Sequence, residues 1–373
     1  MKELFVFGRR YRSKKRIRAQ RAGFTLVELL IVIAIIGLLM GILIPSLNQA
    51  RQSAYCTKAS GNLHNVGLGV ESFATDSGFY PPSYMYPDSP ASEDVLQLIG
   101  NQDESKANGY LHWSWFLFES GRVDASAFTC PAAKNGGAPR TNPGKRARDW
   151  EKGQRDDTGN TDPAPENRQD KQAPRMAFTA NAAIIPRNKF AADDKINQYP
   201  RHNRLVKPQE IERPADVILL TEFNENWQTL GVPDSGGTLC KSHRPILPFT
   251  HTSTGYADYA VYQADKNTTR FEYGTGYNTA DVSWGLQSWA KISNPDNHYL
   301  NGETGHPLNA VGRHHPGQWK ATTDEGPDQD MGGTTIFLYC DGHVERKTIY
   351  DTVKNLEWGK KFYSITGDPF VFY

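Results

Sequence analysis

The chain of 373 residues has only four cysteines, Cys56, Cys130, Cys240 and Cys340, and no two of them form a C-x-x-C pair. That absence excludes the sequence patterns of a zinc ribbon and of a thioredoxin-like redox centre. Neither G-x-S-x-G nor H-E-x-x-H occurs, so familiar signatures of serine and zinc hydrolases are missing. Net charge is nearly absent: 42 Lys and Arg meet 41 Asp and Glu. Without a basic excess the chain does not read as a nucleic-acid binder. Apolar side chains are scarce from 134 to 175, where Gly, Pro, Asn, Asp and Arg prevail. Charge is scarcest from Phe24 to Ile44, where Glu28 alone carries it.

That last scarcity is the most informative. At about 1.5 Å rise per residue, the Phe24–Ile44 stretch forms a helix roughly 30 Å long, matching a bilayer's hydrocarbon core. A carboxylate within such a helix costs about 2.5–3.5 kcal/mol on insertion scales, so Glu28 needs a partner or a task. Residues 1–23 contain nine Lys and Arg against one acid, Glu3, a net of +8; the remainder keeps 33 basic and 40 acidic residues, a net of −7. The basic leader is expected to stay in the cytoplasm and the head to face outward. A secretory signal carries its small-residue cleavage site after the apolar stretch. Here Ile44-Pro45-Ser46-Leu47 continues directly into helical periodicity, and the small residue, Gly23, lies before the stretch.

Gly23-Phe24-Thr25-Leu26-Val27-Glu28-Leu29-Leu30, with the leader before it and Pro45 after it, resembles the processing site of type IV prepilins and type II secretion pseudopilins. The resemblance implies that a membrane prepilin peptidase cuts after Gly23 and methylates the new amine of Phe24. It also implies that Glu28 meets the free amine of a neighbouring subunit during filament assembly. Expected partners are therefore that peptidase, other copies of the chain, related pilin-like subunits and the inner membrane, with no nucleic acid. The expected product is a structural subunit and not an enzyme. The rival reading is a single-pass anchored extracytoplasmic enzyme or glycan-binding protein that does not polymerise.

The expected fold class is α+β: a long N-terminal helix, half in the membrane and half amphipathic, packed on an antiparallel-sheet head with long loops. The expected organisation is a leader at 1–23, a helix at 24–75 crossing the membrane over about 24–44, and a head at 76–373. The head is expected to carry a flexible surface loop at about 134–175. Leu63, Val66, Val70 and Phe73 recur at three- and four-residue steps. Pro45 predicts a kink or a melted turn, and Gly61, Gly67 and Gly69 predict a distortion near 61–69. Met176–Ile185 and Asp216–Thr221 read as strands. Thr334–Cys340, Asp341-Gly342 and His343–Ile349 read as a hairpin, since Asp-Gly between apolar runs is a strong turn signal.

Other candidates carry weaker signals. The four cysteines permit three fully paired connectivities, with buried free thiols the alternative. Gly37-Leu38-Leu39-Met40-Gly41 is a G-x-x-x-G that lets membrane helices approach. His298, His306, His314, His315 and His343 match no zinc-hydrolase spacing and read as surface or hairpin-packing groups. No cofactor is expected; Asp324, Glu325, Asp328 and Asp330 read as a solvated acidic loop, with calcium ligation the alternative. Cys56, Asn62–Leu68, Gly78–Pro82, Phe128–Pro131, Pro214–Glu222 and Phe337–Glu345 resemble a pilin-like group. Its C-terminal domain is named for a His, nine intervening residues and Asp-Gly. Here Met331 stands where that His would, leaving His314 or His315 as candidates beyond an inserted acidic segment, Thr323–Asp330.

Overall fold

The computed structural model describes residues 24–86, 95–100, 102, 109–161, 169–188, 190, 203–234, 236–251, 271–273, 285–294, 296, 307–323, 325–365 and 370–372. The leader, Gly23, His298, His306 and Asp324 lie outside the described residues. The fold is α+β: one long helix, Leu26–Ser77, and a head built on antiparallel strands. The division into compact units falls inside this helix, after Ala50.

The helix runs without interruption through Pro45 and through Gly61, Gly67 and Gly69, so neither the melted turn nor the distortion near 61–69 is found. The glycines have a packing role instead. A Cβ on Gly67 would stand 2.6 Å from Leu338 Cδ2, and one on Gly69 would stand 2.1 Å from Val123 Cγ2. They bring the helix backbone close to the head, as small residues do wherever two elements must approach. The buried face consists of Cys56, Ala59, Leu63, Val66, Val70, Phe73 and Ala74, a step of three or four along the chain. The Asn62 amide donates to the Thr129 carbonyl at 2.7 Å, and the Phe73 ring lies 5.9 Å from that of Phe116, within the short helix Trp113–Glu119.

The central sheet has four strands, β1 (Phe178–Ala180), β2 (Ile218–Glu222), β3 (Thr335–Tyr339) and β4 (Val344–Lys347), in the order β4-β3-β2-β1. All pairings are antiparallel, with Leu338 opposite Leu220 and Thr179 opposite Thr221. β2 and β3 are buried at every position, as befits central strands covered on both faces. The β3–β4 hairpin expected from Asp341-Gly342 is present. Gly342 adopts φ of 89°, and its N–H donates to the Tyr339 carbonyl at 3.0 Å. His343 stacks on Tyr339 with ring centroids 4.2 Å apart.

Two expectations require correction. The 134–175 segment is not a surface loop over its described part: Thr141, Asn142, Gln154, Asp156, Asp170 and Gln172 are buried. Ala138–Pro139 pairs with Arg175–Met176, and Gln154–Arg155 pairs with Gly237–Cys240. Hydrogen bonds take the place of apolar contacts here. Asp170 accepts from the Asn142 backbone N–H at 2.6 Å and its amide at 2.8 Å; Gln154 donates to the Arg140 carbonyl, and Thr141 to that of Cys240, each at 2.6 Å. Buried polar groups that are paired in this way cost little, which a count of apolar residues overlooks. The acidic segment is likewise no loop: Lys320–Thr323 and Gly326–Asp330 pair as an antiparallel hairpin.

Candidate functional site

The N-terminal segment begins with a capping box. Thr25 precedes the first helical residue, and its Oγ1 accepts from the Glu28 N–H at 3.2 Å. Glu28 Oε2 reaches back to accept from the Thr25 N–H at 2.8 Å and its hydroxyl at 2.9 Å. Thr at the N-cap with Glu three residues later satisfies donors that a helix start leaves open, and a negative charge there suits the helix dipole. Glu28 thus has an internal partner, which the sequence reading, occupied with a partner in another chain, overlooked.

Around this box the apolar side chains are bare. Phe24 is 82% exposed, and Leu26, Leu30, Ile33, Leu38 and Ile42 are all exposed as well. The helix is long and apolar enough to cross a membrane, and its most apolar window is wholly unburied. Gly37 and Gly41 have nothing within 4 Å of a built Cβ. Leaving so much apolar area in water is costly, at about 25 cal/mol per Å². This surface is made for lipid or for other helices.

The remaining candidates separate. The four cysteines are free and buried, so none of the three pairings occurs. Glu325 lies 3.4 Å from Lys291 and accepts from Ser288, while Asp330 accepts from the Gly332 N–H at 2.9 Å. His343 belongs to the hairpin, where its ring meets Asp341 Oδ1 at 2.6 Å. His314 and His315 are not surface residues: their side chains are 3% and 1% exposed, and His315 pairs with Thr334 at the start of the hairpin. Their burial corrects the sequence reading.

Both histidines face Glu222 at the end of β2, which is fully buried. His315 Nε2 lies 2.9 Å and His314 Nε2 3.5 Å from its carboxylate. Cys130 Sγ lies 3.7 Å from His314 Nε2. Glu222 Oε2 also accepts from the Ile336 N–H at 3.0 Å and the Thr335 hydroxyl at 3.2 Å. Burial alone would push the Glu222 carboxyl up; the charge and hydrogen bonds of His314, then those of His315, outweigh it and hold the carboxyl far below the carboxylate range. Burial in turn depresses His314, but Glu222 raises it on balance. The chain reaches this geometry through Gly312, where a Cβ would come within 2.6 Å of the Phe223 carbonyl and 2.7 Å of the His314 ring. Sequence spacing could not foretell the cluster, because its members come from three distant segments. The hint in the sequence is that Phe128–Pro131 and Pro214–Glu222 resemble the same pilin-like group for whose His position His314 and His315 are the candidates.

Residues 18–44 match the family described as Prokaryotic N-terminal methylation motif. The chain is 30% identical over 64 residues to the Type II secretion system core protein G of Pseudomonas aeruginosa, covering 17% of this chain and 45% of that protein. It is 45% identical over 58 residues to the Type IV wide pilus major component PilA4 of Thermus thermophilus, covering 16% of this chain and 44% of that one. The chain thus spans less than half the length of these relatives, and no solved structure matches it. The N-terminal segment carries the prepilin-type methylation motif at the head of an exposed apolar helix, and over that segment the chain is similar to a type II secretion core protein and to a type IV pilus component.

Proposed function

We propose that the protein is made as a membrane-inserted precursor, cut between Gly23 and Phe24 by a prepilin peptidase and methylated on the Phe24 amine. It is then assembled through its apolar helix into the filament of a type II secretion or pilus-like system. The observation that carries this reading is the bare apolar surface of the helix directly behind the methylation motif. In the inner membrane that surface is covered by lipid; in a filament it is covered by neighbouring helices, which Gly37 and Gly41 allow to approach. The positive leader holds the N-terminus in the cytoplasm until cleavage, and the head lies outside.

Glu28 then has two roles in succession. In the precursor its Oε2 caps the helix through Thr25. In the filament its other oxygen, Oε1, is assigned to the methylated Phe24 amine of a neighbour, a pairing of opposite charges that each would otherwise lack at that depth.

Mass spectrometry of the N-terminal peptide tests the processing step: the expected mature chain begins at Phe24 with one added methyl group. Residues 1–23 still attached in membranes would overturn it. Crosslinking of membranes tests assembly. Glu28→Leu is expected to be inserted and cleaved but to lose the ladder of crosslinked species. Equal ladders from wild type and variant, or none from either, would favour an anchored protein that never polymerises.

A further inference from the structure

We propose that Cys130, Glu222, His314 and His315 together bind one zinc ion, tying three distant segments of the head into a closed structural site. This inference concerns the head alone and stands whether or not the chain enters a filament.

The geometry is that of a ligand set. One donor atom from each of the four residues lies within 4.8 Å of every other. Zinc bonds of about 2.0–2.3 Å arranged tetrahedrally place donor atoms roughly 3.3–3.8 Å apart. The Cys130–His314 separation of 3.7 Å and the His314–Glu222 separation of 3.5 Å fall in that range. The His315–Glu222 separation of 2.9 Å is hydrogen-bond length and opens by under an ångström when an ion enters. Of these three contacts, only the last is a strong hydrogen bond between the ligand atoms. His314 Nε2 points into the cluster on two long contacts, 3.5 Å to Glu222 and 3.7 Å to Cys130 Sγ, and its Nδ1 is buried with no hydrogen-bond partner among the described residues. A side chain sealed this deeply on such weak contacts needs a stronger one at Nε2.

The chemistry selects the ion. One thiolate, two imidazoles and one carboxylate form a mixed S, N and O set, which suits zinc and not calcium or magnesium. Two neutral histidines, a thiolate and a carboxylate bring two negative charges, which a divalent cation cancels. A neutral total matters where all four side chains are sealed from water. Four protein ligands leave no open position, so the site holds structure and is not built to activate water.

The surroundings orient the ligands as an outer shell does. Thr335 and the Ile336 N–H fix the Glu222 carboxylate from β3. The ion would join the turn at Cys130, the end of β2 and the 312–315 segment, none of which is bridged to another by a disulfide.

The test uses the tag-free full chain, purified in detergent from cells grown with added zinc. Elemental analysis is expected to find about one zinc per chain, retained through dialysis against a weak chelator. Cys130→Ala and His315→Ala should each lose it, and Cys240→Ala, a buried cysteine outside the cluster, should keep it. Replacing zinc with cobalt should add a sulfur-to-metal charge-transfer band that Cys130→Ser abolishes. Should the ligand variants fail to fold, the wild-type stoichiometry and cobalt spectrum still decide the matter. A folded wild type with no bound metal and no such band overturns the proposal. So does a metal content that Cys130→Ala and His315→Ala leave unchanged, or a native ion other than zinc.

Discussion

The two halves of the long helix make an instructive pair. Both are rich in apolar residues, both contain glycines, and they share one unbroken backbone. From Phe24 to Leu47 nearly every apolar side chain is exposed, whereas from Cys56 to Ala74 they are buried at helical spacing. The first half is apolar all round and has no face to choose; the second is polar on the side away from the head. Hydrophobicity therefore tells which residues must leave water, and periodicity tells whether the same chain can cover them. The glycines divide in the same way, open at Gly37, Gly41 and Gly61 but wedged at Gly67 and Gly69.

Truncating one apolar side chain in each half breaks this comparison most sharply. Leu63→Ala empties a fully buried position and is expected to cost the head about 2–5 kcal/mol, read by denaturant unfolding in detergent. Leu39→Ala in the exposed half should leave that midpoint where it is. Equal losses would mean that both halves are held by the head.

The segment around Asp170 inverts the exposed half, since it is polar yet buried, and a pH titration sharpens the contrast. Burial pushes the Asp170 carboxyl up to about 7, against its ordinary 3.8, despite the bonds from Asn142. The folded state therefore holds this proton more tightly than the unfolded chain does. The resulting stability is fully present below pH 4 and is lost as pH rises through about 7. Asp170→Asn cannot ionise, so its stability relative to wild type should rise between pH 4 and pH 8, by up to about 4 kcal/mol. Parallel pH profiles for the two proteins would refute a buried, protonated Asp170.

The glycines give the smallest effects but opposite signs. Gly69→Ala forces a methyl group against the stiff Val123 side chain and should cost about 1–3 kcal/mol by overpacking. Gly61→Ala meets nothing within 4 Å and should gain about 0.5–1 kcal/mol from helix propensity. Thermal unfolding of the two variants side by side reads the difference. Gly67→Ala should fall between them, because Leu338 presents the movable end of a flexible side chain.

The legible parts were those written in consecutive residues. The methylation motif and the apolar run behind it form one local signal, and Asp341-Gly342 between two apolar runs is another. Such signals work because a membrane span and a tight turn are set by neighbours along the chain. The misread parts depended on partners far away in sequence. Residues 134–175 look like a solvated loop until Cys240 and Ser242 are seen to take hydrogen bonds from Thr141 and Gln172. Gly67 and Gly69 look like helix breakers until Leu338 and Val123 are placed against them.

Local periodicity, local charge and local turn geometry were enough to read the long apolar helix, the methylation motif, the α+β character and the β3–β4 hairpin from the chain. Only the tertiary structure decided that all four cysteines stay free and that a polar segment is buried. It alone placed His314 and His315 on Glu222 beside Cys130. Those outcomes rest on distances between segments remote in the chain, which no spacing within a sequence encodes and which are set only when the sheet, the helix and the loops close on one another.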